Sequence, residues 1–450
     1  MSASAPPGSL APLGSPAPLG WIGIARLGLV QSALGANVML ATSLLNRVMV
    51  VEYALAAAVP AGLVAWHYAV QLSRPVWGHG SDRGKRRTPW IVGGMGFLAL
   101  GSILATNATL FAPAAPIGAL LVSILAYTMI GAGVGASGTS LLALLATRTT
   151  PTRRPAAAAL TWIMMIFGIV VTAGIAGSLL DPFSPQRLAL VAGGVSLAAF
   201  LVTLAAVAGV EGEPATPREP VEAGPPFAVV IREIWADSAA RRFTIFVFVA
   251  MLAYSMQDMI LEPFAGLVFD MTPGQSTTLS SVQHMGVLLG MILVGIGGAV
   301  FAGQGRARMR IWVVCGCLGS AAALGLLSAA AMAGPGWPLR ETVFLLGFAN
   351  GVFAVAAIGT MMDLAGAGVR GREGIRMGVW GAAQAIAFGL GGFLGAVGSD
   401  IGRAVFGDDG RAFSAVFTVE AGLFVVAAMI ALRIAVSEAP QSTLPGGAPA

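Results

Sequence analysis

Four charged side chains at or inside long apolar runs are the residues of this chain best placed to do chemistry. Arg47 and Glu52 follow the first apolar run, and Asp258 and Glu262 lie four residues apart in the seventh, so the two acids share a helix face. A charge inside a membrane is costly and usually faces a cavity or a partner. One hypothesis is that Arg47 meets Asp258 or Glu262 across a cavity and latches its outer side. The alternative is a structural salt bridge without a switching role.

Four further charges fall within apolar runs or at their ends: Arg26, Arg74, Asp363 and Glu420. We expect Asp363 toward the inner end of the tenth run and Glu420 in the outer part of the twelfth. A proton-coupled carrier could use either acid, and pairing between helices is the alternative.

A basic motif follows the second apolar run and reads Gly78-His79-Gly80-Ser81-Asp82-Arg83-Gly84-Lys85-Arg86-Arg87. Glycines allow a tight turn, and Asp82 can cap a helix or pair with an arginine. The motif resembles the inside-loop motif of the major facilitator superfamily, with one residue missing after Asp82-Arg83. That resemblance implies a switching role for Gly78, Asp82, Arg83, Gly84, Arg86 and Arg87. A plain basic loop that fixes topology is the alternative.

The elements that position these residues are transmembrane helices. Hydrophobic residues make up 56% of the chain and charged residues only 10%, whereas soluble proteins carry about 25% charged residues. Runs of about 20 apolar residues, the length that crosses a bilayer, follow one another along the chain. We predict twelve helices at 20–46, 54–78, 90–108, 115–146, 156–180, 188–210, 243–267, 278–302, 311–333, 341–366, 376–399 and 413–436.

The loops predict orientation and domain organisation. Most arginines and lysines fall in alternate loops, and loops rich in these residues lie on the cytoplasmic side of a membrane. We therefore expect a protein of the bacterial inner membrane with both termini in the cytoplasm. The predicted fold is all-α, the major facilitator fold with two six-helix halves. The predicted segments are a disordered tail 1–19, a half 20–210, a cytoplasmic linker 211–242, a half 243–436 and a tail 437–450.

Several function classes are excluded by the pattern of residues. The basic residues lie in short loops, so the pI of about 9.9 does not indicate a nucleic-acid partner. Cys315 and Cys317 share one apolar run and cannot form a zinc or disulfide framework. The sequence offers no nucleophilic triad, metal cluster or nucleotide motif. We therefore expect a membrane protein without enzymatic activity.

Longer blocks carry a specific resemblance. They are Leu45–Glu52, His67–Gln71, Gly80–Asp82, Arg87–Trp90 and Gln257–Gly266. Together they resemble the PucC/LhaA family, a branch of the facilitator superfamily, over about 20–436. The resemblance implies a role in assembling light-harvesting antenna complexes, by binding bacteriochlorophyll or delivering it to antenna polypeptides. It implies antenna polypeptides as partners within the bilayer, together with pigment-synthesis enzymes or membrane insertion machinery.

A bound bacteriochlorophyll would need an axial ligand for its magnesium, and an imidazole nitrogen is suitable once deprotonated. His67 and His284 lie in corresponding spans of the two halves and are the candidate ligands. Hydrogen-bonded core histidines are the alternative. His79 is expected to be an ordinary loop residue.

Two other functions stay open at this point. One is a proton-coupled transporter of a small organic solute, and the other is a scaffold that moves nothing. The central thirds of the spans carry few charges, which favours an apolar ligand, or none, over a sugar or an amino acid. The inside-loop motif favours a moving protein over a rigid scaffold.

Overall fold

The chain folds into helices joined by short connections. The computed structural model describes residues 18–83, 86–150, 153–212, 232, 235–236, 238–300, 306–366 and 373–433. All regular structure in these residues is helical, as predicted. The helices are α1 (Trp21–Glu52), α2 (Ala58–Gln71), α3 (Arg74–Arg83), α4 (Thr88–Phe111), α5 (Pro116–Arg148), α6 (Arg154–Leu180), α7 (Pro185–Val207), α8 (Ser238–Phe269), α9 (Pro273–Val300), α10 (Arg306–Ala333), α11 (Leu339–Gly366), α12 (Glu373–Phe406) and α13 (Asp409–Leu432).

Eleven helices in the described ranges are long and apolar enough to cross a membrane. The predicted second span, 54–78, is not among them, because two shorter helices, α2 and α3, replace it. The break falls at Leu72 and Ser73, just before Arg74-Pro75. Pro75 has no N–H to bond back to the previous turn, and proline is tolerated in the first turn of a helix, so a new helix begins there.

The first helix is longer than predicted. It continues past residue 46 to Glu52 through two π-helical turns, Leu40–Leu44 and Val48–Glu52. Arg47 therefore lies inside a helix with 1% of its surface exposed, and its expected place in an outer loop is wrong. The helix can continue there because other helices supply partners for the Arg47 guanidinium, as described below.

The chain divides into two compact units, and each unit is made of two separate segments of the sequence. The first unit comprises Met1–Leu45 and Trp66–Ala223, and the second comprises Asn46–Ala65 and Gly224–Ala450. The end of α1 and the start of α2 thus belong with the second unit. Residues 1–17 of the predicted tail, most of the predicted linker and the tail 437–450 lie outside the described residues.

Close backbone contacts through glycine hold the first unit together. A Cβ atom on Gly133 of α5 would lie 2.6 Å from the carbonyl oxygen of Gly94 on α4. A Cβ atom on Gly131 would lie 2.6 Å from the carbonyl oxygen of His67. Small residues let membrane helices approach closely enough for dispersion contacts, which replace the hydrophobic effect in lipid.

The second unit uses the same device in a reciprocal form. Gly286 and Gly290 of α9 pack on the backbone of α11, and Gly347 and Gly351 of α11 pack on the backbone of α9. At all four positions an added Cβ atom would overlap a carbonyl oxygen of the facing helix. The α9–α11 seam, defined by these four glycines, fixes the position of α9. The polar residues described next lie in the first half of α9.

Candidate functional site

The candidate site is a buried polar cluster of the second unit, centred on α8 and α9. It begins at Arg47, whose guanidinium donates to the Ser276 hydroxyl at 3.1 Å and to the Met271 carbonyl oxygen at 2.5 Å. It also pairs with Glu52 at 2.5 Å. The Glu52 side chain is 30% exposed, so this end of the cluster reaches the surface of the unit.

Asn46 anchors the same turn of α1 to α8. Its side-chain amide donates to the carbonyl oxygen of Met259 at 2.6 Å. That carbonyl lies four residues before Pro263, which has no N–H to donate to it. The proline thus leaves an acceptor inside α8, and the asparagine satisfies it.

Glu262 is brought close to Arg47, as the sequence hypothesis required of one of the two acids. Its carboxylate interacts electrostatically with Arg47 and accepts a hydrogen bond from the Thr277 hydroxyl of α9 at 3.5 Å. Glu262 is 3% exposed. Arg47 and Glu262 belong to the same unit, so this contact lies inside one body. A latch across a cavity between the halves stays a prediction.

Asp258 lies one turn along α8 from Glu262 and has different partners. Its carboxylate accepts a hydrogen bond from the Gln283 side chain of α9. It also interacts electrostatically with Glu420 on α13. The structure places Glu420 at the midpoint of α13, whereas the sequence placed it in the outer part of the span. The difference arises because α13 begins at Asp409, four residues before the predicted start.

His284 follows Gln283 on α9 and is partly exposed. Its Nδ1 lies 2.9 Å from the carbonyl oxygen of Ser280. A carbonyl oxygen can only accept, so Nδ1 carries the hydrogen, and the neutral ring has its lone pair on Nε2. The same arrangement orients histidines that bind metals, because the second nitrogen is fixed by a backbone or carboxylate acceptor.

His67 of the first unit is bound differently. It is 1% exposed, and its Nε2 lies 2.8 Å from the side-chain nitrogen of Gln71. The Gln71 amide oxygen in turn accepts a hydrogen bond from Arg74. An amide nitrogen can only donate, so His67 Nε2 accepts, and its lone pair is engaged by a residue of its own helix. Both histidines stay predicted ligands, and the geometry favours His284.

The basic motif does not form the expected tight turn, because Gly78, Asp82 and Arg83 lie in the helix α3. A Cβ atom on Gly80 would lie 2.7 Å from the Trp90 ring, so glycine serves close packing there instead. The side chains of Asp82 and Arg83, and all of Gly84, lie outside the described residues.

The last two residues of the motif differ in their contacts. Arg86 is exposed. The Arg87 guanidinium donates to the Ala143 carbonyl oxygen and the Thr147 hydroxyl of α5 at 2.6 and 2.7 Å. This residue therefore ties the start of α4 to α5.

Two other predicted charges have simple positions. Arg26 donates to the carbonyl oxygens of Ala205 and Ala208 at the end of α7, the end of a helix that favours a cation. Asp363 lies in α11, and its side chain is outside the described residues.

Sequence reasoning missed two carboxylates that cap helices. Glu211 accepts from the N–H groups of Arg87 and Thr88 and from the Thr88 hydroxyl, at 2.5, 2.8 and 2.6 Å. Asp400 accepts from the N–H groups of Ala57 and Ala58 at 3.0 and 2.8 Å. A carboxylate is the favoured partner of free N–H groups at a helix start. Neither acid is close in sequence to the helix that it caps, so only the structure reveals the two caps.

The Glu211 cap leads to a testable prediction. Glu211→Ala is expected to destabilise the protein by about 1–2 kcal/mol, the usual range for loss of a helix cap. Denaturant unfolding in detergent micelles would measure the loss. Glu341→Ala is the control, because Glu341 lies in the first turn of α11 and has no side-chain hydrogen bond to the described residues. A loss at Glu211 no larger than at Glu341 would contradict the prediction.

Sequence reasoning also missed the polar face of α9. Ser276, Ser280 and Gln283 recur at intervals of four and three residues and share one helix face. Thr277, Ser281 and His284 repeat the same spacing one residue on. This spacing was a signal available in the sequence, and it marks the side of α9 that meets α8.

Solved structures establish the class of protein. The peptide transporter POT in complex with alafosfalin aligns with a TM-score of 0.68 and 14% identity, over 93% of this chain and 96% of that one. The nucleoside transporter NupG aligns with a TM-score of 0.65 and 16% identity, over 92% of this chain and 99% of that one. At such identity the likeness shows the fold alone. The chain is a multi-pass membrane protein with the major facilitator fold, as predicted.

The family follows from sequence comparison. The family model described as PUCC protein matches residues 44–439, and the chain belongs to this family, which confirms the predicted resemblance. The "Bacteriochlorophyll synthase 44.5 kDa chain" of Rhodobacter capsulatus is 52% identical over 416 residues, 92% of this chain and 96% of the relative. "Protein PucC" of the same species is 28% identical over 430 residues, 91% of each chain.

Proposed function

We propose that this protein is an assembly factor for a light-harvesting antenna complex, which binds bacteriochlorophyll and delivers it to antenna polypeptides. Membership of the PUCC protein family over residues 44–439 is the observation that carries the proposal. The name of the relative with 52% identity refers to bacteriochlorophyll. The predicted partners are antenna polypeptides in a bacterial inner membrane, with both termini of the chain in the cytoplasm.

The protein is proposed to bind its cargo without changing it chemically. The word synthase in the name of that relative favours an enzyme, whereas the fold shared with peptide and nucleoside transporters favours binding and movement. Extraction of the pigment after incubation with the purified protein would decide between the two. We expect the recovered pigment to be identical to the pigment supplied, and a new pigment species would contradict this.

The candidate axial ligand is His284, because its Nδ1–H is held by Ser280 and its Nε2 has no hydrogen-bond partner among the described residues. The ring is partly exposed, so a chlorin could approach it. Magnesium in a chlorin takes one axial ligand, and an imidazole nitrogen with a free lone pair is suitable for this position. The proposed role of the residue is to hold the cargo in one orientation.

The test is pigment content after purification in mild detergent from a phototrophic host. His284→Ala is expected to lower bound bacteriochlorophyll at least about tenfold, since even outer-shell partners of metal-binding histidines contribute about 10–100-fold to affinity. His67→Ala, the matched control, should retain the pigment because Gln71 already engages His67 Nε2. Equal pigment in both variants would remove the ligand role from His284.

The same preparation tests the function itself. Stoichiometric pigment, together with antenna polypeptides that co-purify, is the expected result. A well-folded wild type without pigment would contradict pigment binding. If antenna polypeptides were still present, the scaffold alternative would be favoured.

A second candidate function is proton-coupled transport of a small organic solute. The fold of the peptide and nucleoside transporters is the observation that favours it. Uptake of labelled peptides and nucleosides into proteoliposomes under a proton gradient would detect this activity. We expect no uptake above that of protein-free liposomes.

A further inference from the structure

We propose that Asp258 and Glu420 form a buried proton-binding site in the second unit, where the pair holds one proton and exchanges it with water. The site needs neither pigment nor antenna polypeptide, so the proposal is independent of the proposed function. Its occupant is a proton, and its products are a neutral acid beside a carboxylate.

Glu420 lies at the centre of α13 with 0% of its surface exposed. Neither carboxyl oxygen has a hydrogen-bond partner among the described residues. A buried, ionised carboxylate without partners is strongly unfavourable, so a neutral acid is the form that fits this position.

Asp258 is the second acid of the pair. It lies on α8, which packs on α13, and its charge is close enough to Glu420 to interact with it. Asp258 is partly exposed, whereas Glu420 is fully buried, so Asp258 is the acid of the pair nearer the surface of the unit. Two neighbouring carboxyl groups that interact in this way bind protons as a pair, because one charge opposes the next.

Gln257 of α8 is a second buried polar residue without hydrogen-bond partners among the described residues. It precedes Asp258 and is 0% exposed, and both the nitrogen and the oxygen of its amide group lack such partners. A buried amide without partners is rare in native structures and calls for a ligand, a water molecule or a change of state. The turn of α8 that carries Asp258 thus contains a second unsatisfied polar group.

The charges around Glu420 do not neutralise it. Helices α8, α10 and α12 pack on α13. Apart from Asp258, α8 carries Glu262, which accepts a hydrogen bond from Thr277. It also carries Arg241 and Arg242 near its start, which donate to the carbonyl oxygens of Trp235 and Arg433. Helix α10 carries no charged residue from Ile311 to Ala333. No cation in the described part of the chain pairs with either acid.

The remaining charged groups of these helices are already engaged or lie at helix ends. On α12, Asp400 caps α2 and Arg403 pairs with Asp409. Glu373 and Arg376 lie in the first turn of α12, and their side chains are outside the described residues. On α9, His284 donates to Ser280. Arg47 of α1 interacts electrostatically with Glu262, and no such interaction joins it to Asp258.

The proposed step is a simple protonation. A hydrated proton enters at Asp258, a new O–H bond forms on one carboxylate of the pair, and water is released as the other product. Loss of that proton leaves two negative charges side by side between α8 and α13, which disfavours their close packing. Proton binding would therefore stabilise the packed form of these two helices.

Infrared spectroscopy of the full protein in lipid bilayers tests the site directly. A protonated carboxyl group has a C=O stretching band that shifts in D2O and is absent from a carboxylate. The wild type is expected to show this band at neutral pH, where an exposed glutamate, which loses its proton near about pH 4.3, shows none. Glu420→Gln should remove the band, and Asp258→Asn should change the pH at which it disappears.

Glu341→Gln is the matched control, because Glu341 is exposed at the start of α11, and it should leave the band unchanged. Glutamine has the shape of a neutral glutamic acid, so Glu420→Gln is expected to fold, and its thermal unfolding would verify this. A band that persists in a folded Glu420→Gln variant, or a wild type without the band, would overturn the proposal. Neither result depends on whether the protein binds pigment, so the test is separate from that of the proposed function.

Discussion

Arg47→Met is expected to destabilise the protein by up to about 3–5 kcal/mol, because it removes a buried cation that pairs with Glu52 and leaves the buried Glu262 without its neighbouring positive charge. Methionine keeps most of the aliphatic stem, so the loss reports on the charge and its hydrogen bonds. Without the guanidinium, Glu262 stays buried with no nearby cation among the described residues, and the Ser276 and Met271 acceptors lose their donor. Denaturant unfolding in micelles would measure the change.

The chain offers a matched control for this variant. Arg403 pairs with Asp409 at 2.6 Å, nearly the same distance, but both side chains are 35% exposed. Arg403→Met is therefore expected to cost no more than about 1 kcal/mol, as exposed ion pairs do. The double variant Arg47→Met, Glu262→Gln should recover part of the loss, because the remaining acid becomes neutral. Equal losses at Arg47 and Arg403 would contradict a buried network.

Gly290→Ala is expected to destabilise the protein by about 1–3 kcal/mol, the usual cost of overpacking. The added Cβ atom would overlap the carbonyl oxygen of Phe348, and this atom belongs to the backbone of α11. A flexible side chain could move aside, but a helix backbone can only shift as a whole. The α9–α11 seam would open, and the polar face of α9 would move with it.

Gly295→Ala on the same helix is expected to stabilise the protein instead. The space around Gly295 is open, so the Cβ atom meets nothing within 4 Å. Alanine in a helix interior is about 0.5–1 kcal/mol more favourable than glycine, and that gain should appear as a higher unfolding temperature. Two substitutions of the same type, five residues apart, would thus separate close packing from helix propensity.

Much of the fold could be predicted because apolar runs of membrane-spanning length leave few other possibilities. The helix α13 shows this, since its apolar sequence predicts a span that the structure contains with a four-residue shift at its start. The break between α2 and α3 is harder to predict. An apolar run continues up to it, and Arg74-Pro75 could equally end one long span.

The site was harder to predict than the fold because its partners are distant in sequence. Asp258 and Glu420 could each be recognised as charges in apolar runs, but their proximity depends on how α8 packs against α13. Arg47 was expected in a loop because the apolar run before it ends near residue 46. Its burial depends on acceptors more than 220 residues away, at Met271 and Ser276.

The segment Asn46–Ala65 has a consequence for how the protein is made. A ribosome completes this segment long before it completes α8, α9 and α12, which contain the partners of Asn46, Arg47 and Ala57. The guanidinium of Arg47 therefore lacks its Ser276 partner, in the membrane or at its surface, while about 200 further residues are synthesised. Dividing the gene in the region that encodes residues 211–242 would place Asn46–Ala65 and the rest of the second unit on different fragments. Two such fragments should assemble only when they are co-expressed.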